Sequence, residues 1–109
     1  MLEIKNLTKI FDNNKTAVND INVTINNGEF ISVIGYSGSG KSTFLNLISG
    51  LLQPTSGEIL FDGKNINSLN DKEISALRND SIGYIMQGNS LMPNLTVEEN
   101  ILLPVTFSQ

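Results

Sequence analysis

The stretch Gly35-Tyr36-Ser37-Gly38-Ser39-Gly40-Lys41-Ser42-Thr43 carries residue types at a spacing, G-x-x-x-x-G-K-[ST], that suits one chemistry: holding a chain of phosphates. Gly35, Gly38 and Gly40 let the backbone turn tightly and bring its N–H groups against phosphate oxygens with no Cβ in the way. Lys41 supplies a compact point charge for the β- and γ-phosphates. Ser42 offers a hydroxyl to the Mg²⁺ that such phosphates carry. A helix starting at this point turns its positive N-terminal end toward the same anion. The pattern is that of the P-loop, or Walker A motif, and it predicts a bound nucleoside triphosphate.

Two elements must flank such a loop. Glu29-Phe30-Ile31-Ser32-Val33-Ile34 is nearly all apolar and β-branched, and predicts a buried parallel strand. Thr43-Phe44-Leu45-Asn46-Leu47-Ile48-Ser49 has apolar positions at helical spacing, with Gly50 placed to end the helix. A flexible Gly/Ser linker would not be bounded by two hydrophobic elements.

Upstream, the apolar residues Leu2, Ile4, Leu7 and Ile10 predict a first strand over 2–10 with one slip in its alternation. Phe11-Asp12-Asn13-Asn14-Lys15 is turn chemistry. Residues 17–25 predict a second strand with one wet face, and Asn26-Asn27-Gly28 a hairpin-like turn. Downstream, Glu58-Ile59-Leu60-Phe61 is a short strand closed by Asp62-Gly63. Asn70 and Glu73 form a capping box opening a helix to about Arg78. Ser81-Ile82-Gly83-Tyr84-Ile85-Met86 predicts another apolar strand. Leu91 to Leu95 is irregular, and Thr96 with Glu99 predicts a second capping box and a short helix.

Composition narrows the function classes. The 109 residues allow one small domain, and 39% hydrophobic with 17% charged residues describe an ordinary globular chain. A net charge of −4 with no basic stripe argues against a nucleic-acid partner. The absence of cysteine excludes disulfides and thiolate metal sites; the absence of histidine removes the commonest general base. The N-terminus has no signal-peptide pattern, and no apolar run approaches the ~20 residues that span a bilayer. A cytoplasmic chain is expected.

Over its whole length the sequence resembles the first half of the ATP-binding subunit of an ABC transporter. The resemblance rests on the Gly35–Thr43 motif, on Gln53-Pro54-Thr55-Ser56-Gly57-Glu58-Ile59 followed by Asp62-Gly63, and on Ile82-Gly83-Tyr84-Ile85-Met86-Gln87, which is similar to the strand ending in the Q-loop glutamine. Phe11 stands where the family places the aromatic A-loop residue that stacks on adenine. Leu91 to Asn100 resembles the branch that exports lipoproteins, macrolides and antimicrobial peptides. The resemblance implies an α/β fold of the P-loop NTPase class, with an antiparallel β subdomain and the start of a RecA-like parallel core. It implies ATP and Mg²⁺ as cofactors, held by Phe11, Gly35, Ser37, Gly38, Ser39, Gly40, Lys41, Ser42 and Thr43. Ser42 and Gln87 would be metal ligands, and Lys41 and Gln87 would be the catalytic residues. It implies as partners a transporter membrane domain, which positions the chain on the inner face of the membrane, and a second ATP-binding subunit.

The family's LSGGQ-like signature, its apolar run ending in Asp-Glu and its switch histidine do not occur in this sequence. Residues 1–109 are therefore expected to be a truncated ATP-binding domain, an ABC-type ATPase when complete and close to inactive in hydrolysis alone. Two other classes fit the motif: a non-catalytic nucleotide-binding or assembly half-domain completed by another chain, and a different P-loop NTPase. A GTPase would want an Asn-Lys-x-Asp run, which the sequence lacks.

Overall fold

The computed structural model describes residues 1–36, 38–85 and 91–107. Strands β1 (Leu2–Ile10), β2 (Thr16–Ile25), β3 (Ser56–Phe61) and β4 (Lys64–Asn65) make one sheet in the order β2-β1-β3-β4, every pair antiparallel. Helix α1 (Lys41–Ile48) enters the sequence between β2 and β3. A single 3-10 turn (Ile66–Ser68), α2 (Asp71–Ser81) and α3 (Val97–Phe107) follow.

The slip in the first strand has a structural cause. Ile4 and Leu7 are both buried, at 2% and 0% exposure. Residues three apart in a regular strand face opposite sides. The pairing with β2 breaks register between Ile4 and Leu7, and the pairing with β3 breaks between Lys5 and Thr8. Asn6, with φ 50°, takes up the irregularity and returns Leu7 to the core side. Its N–H donates to Asn22 Oδ1 (2.9 Å) and its Nδ2 to Asp20 Oδ1 (2.8 Å), while the Asp20 N–H donates to Thr8 Oγ1 (3.0 Å). These side-chain bonds replace ladder bonds that the bulge removes.

Gly57 faces this bulge on β3. With φ 96°, it occupies a conformation that L side chains rarely adopt, and a Cβ there would sit 2.6 Å from the Asn6 carbonyl carbon and 2.7 Å from Leu7 Cα. The bulge and the glycine are therefore one feature built from two strands.

The core is formed by Ile4, Leu7, Val18 and Ile59 from the sheet, Leu47 from α1 and Ile66 from the 3-10 turn, with Phe44, Ile48, Ile74 and Leu77 packed around them. Phe44, Leu47 and Ile48 lie on one face of α1 by their i, i+3, i+4 spacing. Full burial of a side chain such as Leu47 contributes about 1.5–3 kcal/mol. The buried Ser49 is satisfied locally: its N–H donates to the Leu45 carbonyl (3.1 Å) and its Oγ to the Asn46 carbonyl (3.2 Å).

Both capping boxes form. The Glu73 N–H donates to Asn70 Oδ1 (2.8 Å) and the Asn70 N–H to Glu73 Oε1 (3.1 Å); α2 then runs three residues beyond Arg78, to Ser81. At α3 the Glu99 N–H donates to Thr96 Oγ1 (3.1 Å) and the Thr96 N–H to Glu99 Oε1 (2.9 Å). The hydrogen bond from the Thr96 backbone, and then its side chain, hold the Glu99 carboxyl below its ordinary range. The irregular stretch before α3 is tied to it by Asn100, whose Oδ1 accepts from the Met92 N–H (2.8 Å) and whose Nδ2 donates to the Thr96 carbonyl (2.8 Å).

Two expected strands do not form. Residues 29–34 are unpaired, with Phe30 94% and Ile34 90% exposed, and residues 82–85 are unpaired, with Ile85 93% exposed. Met86 lies outside the described residues. A parallel strand exists only through ladder bonds to neighbours and cover on both faces. Among the described residues all sheet pairing is used within the four antiparallel strands, so strand-like composition at 29–34 and 82–85 finds nothing to pair with. The antiparallel subdomain is present as expected, and among the described residues no strands pair in parallel.

Replacing Gly57 by alanine is predicted to destabilise the fold by about 2–3 kcal/mol, the cost of overpacking a close backbone contact. Urea unfolding of the chain against G57A measures it, and an unchanged midpoint would contradict the paired bulge and glycine.

Candidate functional site

The turn between β1 and β2 and the loop entering α1 come together at one end of the sheet. In the first, the Phe11 N–H donates to the Lys15 carbonyl (3.0 Å) and the Asn14 N–H to the Phe11 carbonyl (2.8 Å), fixing Phe11 and Lys15 opposite each other at the hairpin's mouth. Phe11 is 38% exposed. The Lys9 ammonium sits 5.4 Å from the centre of its ring and donates to the Gln53 carbonyl (2.8 Å).

In the second, Gly40 is the residue before α1, at φ 97° and ψ 8°. A Cβ on it would run into the backbone carbonyl of Ala17 on β2. Only glycine permits that approach. No side chain caps this helix start, and α1 has no acidic residue in its first turn. The Phe44 N–H donates to the Gly40 carbonyl (2.8 Å), which leaves the amides of Lys41, Ser42 and Thr43 without an intrahelical acceptor. A helix start of this kind favours an anion.

Lys41 folds its side chain back along the loop. Its ammonium donates to the carbonyls of Gly35 and Tyr36 (2.7 Å for the latter) and to Ser39 Oγ (3.3 Å). Three donors meet three acceptors, and the loop is closed around its own cation. Gly35 and Ser39 are in close approach: a Cβ on Gly35 would lie 2.6 Å from Ser39 Oγ.

The result is a cleft of about 480 Å³ bordered by Phe11, Lys15 and Ala17 on one wall and by Gly38, Gly40, Lys41, Ser42 and Thr43 on the other. That volume lies within the ~300–1,000 Å³ usual for ligand sites. Of the residues expected from the sequence, Phe11, Gly38, Gly40, Lys41, Ser42 and Thr43 border this cleft. Gly35 and Ser39 border a second one of about 450 Å³ on the other side of Lys41, against Val18 and Ile21 of β2. Ser37 and Gln87 lie outside the described residues.

The donor set suits a hard cation that arrives with phosphates. Ser42 brings a hydroxyl to the cleft, no carboxylate borders it, and no cluster of three acidic residues, histidines or cysteines exists among the described residues. Lys15 and Ala17 were not legible as site residues from the sequence. Lys15 sits in a run that signals only a turn, and Ala17 contributes its backbone carbonyl, for which side-chain type carries no signal.

Comparison with known proteins gives the family. The family model described as ABC transporter matches residues 18–109. The lipoprotein-releasing system ATP-binding protein LolD of Wigglesworthia glossinidia brevipalpis is 48% identical over 107 residues, which take in 95% of this chain and 47% of that protein. An uncharacterised ABC transporter ATP-binding protein of Methanocaldococcus jannaschii, MJ0796, is 43% identical, across 98% of this chain and 47% of its own. Its dimeric cassette structure superposes over 100% of this chain and 48% of that one with a TM-score of 0.88 at 42% identity; a post-hydrolysis state of it, bound to ADP and Pi, gives 0.87. The chain thus spans about half the length of these two relatives. No described helix is long and apolar enough to cross a membrane. With its family model reaching across most of its length, this chain belongs to the ABC transporter family of ATP-binding domains.

Proposed function

We propose that this chain is the nucleotide-holding half of an ABC transporter ATP-binding subunit, which couples ATP binding and hydrolysis to export through a membrane partner. The observation that carries this reading is the cleft between Phe11 on one wall and Gly38, Gly40, Lys41, Ser42 and Thr43 on the other. An aromatic face stands on one wall and a cationic, uncapped helix start on the other. ATP has the matching polarity, with a flat base at one end and anions at the other.

Each residue has a physical role in this reading. Phe11 offers its ring to adenine; aromatic stacking contributes on the order of 1 kcal/mol beyond area burial. The amides of Gly38 and of residues 40–43 would donate to the phosphate oxygens, while the Ser39 N–H is held by the Tyr36 carbonyl (3.0 Å). Lys41 would neutralise the β- and γ-phosphates, its ammonium exchanging its bonds to Gly35, Tyr36 and Ser39 for phosphate oxygens. Ser42, with Gln87, would ligate Mg²⁺, which supplies charge neutralisation across the phosphates when bound. Gln87 would also orient the attacking water.

Hydrolysis needs positioning, metal and a base acting together, and absence of a general base alone typically costs ~10²–10⁴ in rate. Hydrolysis is therefore assigned to the complete subunit. Two such subunits would work as a dimer, as the dimeric cassette of MJ0796 supports. Relatives named for lipoprotein release and syringafactin export support an export role, beside one named for hemin import; a membrane partner would place the chain on the inner face of the membrane. The other reading, a half-domain completed by a separate chain, draws on the uncovered Phe30, Ile34 and Ile85.

Lys41→Ala is predicted to abolish saturable binding of a fluorescent ATP analogue with Mg²⁺, because it removes both the cation and three loop contacts. Retained affinity would contradict the proposed site. Phe11→Ala is predicted to weaken ATP about fivefold, in line with ~1 kcal/mol of stacking, and to leave inorganic triphosphate unaffected in competition. Equal weakening of both ligands would count against a base-stacking role.

A further inference from the structure

We propose that Lys15 is a second cation for the nucleotide, acting on the phosphate chain from the wall that carries Phe11. The inference deepens the nucleotide reading above and rests on it. Lys15 borders the same cleft as Lys41 and Phe11. Its carbonyl accepts from the Phe11 N–H (3.0 Å), so the two residues share one wall. The chain as a whole carries 7 basic and 11 acidic residues, yet the residues around this cleft include two lysines and no carboxylate. That local sign runs against the protein's net charge of −4 and suits a polyanion.

The two lysines differ in their commitments. The Lys41 ammonium already donates to two loop carbonyls and the Ser39 hydroxyl. The Lys15 backbone N–H donates to Asn13 Oδ1 (3.1 Å), but among the described residues its ammonium has neither a hydrogen bond nor an ion pair. A flexible four-carbon stem lets that charge reach across the cleft. Because Lys15 stands beside Phe11 and not in the loop, its charge falls nearest the nucleoside end of the phosphate chain, where the loop's own donors are most distant. Lys15 would distinguish a nucleotide from a nucleoside at the base end, while Lys41 acts at the terminal phosphates.

Lys15 is exposed on a turn, so its substitution removes no buried contact. The test is a calorimetric titration with Mg²⁺-ATP and separately with adenosine, at low and moderate salt, using the unsubstituted chain, Lys15→Gln and Lys15→Arg. Lys15→Gln is expected to weaken ATP about fivefold, the scale of one solvent-exposed ion pair, and to flatten the salt dependence. Adenosine affinity should not change, and Lys15→Arg should bind ATP as the unsubstituted chain does. An unchanged ATP affinity and salt slope in Lys15→Gln would overturn the proposal, as would equal losses for ATP and adenosine, which would mark a packing role. A failure of the underlying reading looks different: the unsubstituted chain itself would take up no ATP, overturning both.

Discussion

The carbonyl of Ala17 and the backbone of Gly40 approach so closely that no side chain fits between them, and this contact decides what the structure can do. Ala17 belongs to β2 and, through the hairpin, to the wall that carries Phe11 and Lys15. Gly40 is the last residue of the loop and the first support of α1. Where they touch, an antiparallel sheet and a helix start become the two sides of one cleft. A residue with a Cβ at position 40 would push the walls apart, and its φ of 97° would be strained besides.

The rest of the fold serves to hold that contact in register. Leu47 anchors α1 in the core shared by Ile4, Leu7, Val18 and Ile59, so the helix start cannot slide along the sheet. Leu7 reaches that core only because the Asn6 bulge shifts the strand's alternation, and the bulge fits only because residue 57 is glycine. A line of steric requirements therefore runs from β3 through β1 and β2 to the loop. The charges are arranged separately: a chain that is acidic overall places two of its seven basic residues, Lys15 and Lys41, at the cleft into which α1 starts.

Much of this was legible in the sequence, for identifiable reasons. The loop, both capping boxes, the Asp62-Gly63 turn and the two long strands are local features, set by residue types a few positions apart. The slip in β1 was readable as a break in alternation, though its cause, the pinning by Asp20 and Asn22, depends on a neighbouring strand. Residues 29–34 and 82–85 were misread as paired strands because apolar β-branched composition reports a preference for burial, while pairing depends on what lies alongside. The role of Lys15 is hidden in the sequence for a related reason. A lysine in a turn is ordinary, and only the closure of the hairpin onto the loop makes it part of a site.

The central claim is that Phe11 and the amides of Gly38 and residues 40–43 hold the two ends of one ATP molecule. Amide and aromatic NMR spectra of the chain, recorded as Mg²⁺-ATP is added, test it most directly. The account predicts that the amides of Gly38, Gly40, Lys41, Ser42 and Thr43 and the ring protons of Phe11 shift together, with one dissociation constant. Shifts confined to the loop with Phe11 unmoved, or centred elsewhere on the chain, would contradict it.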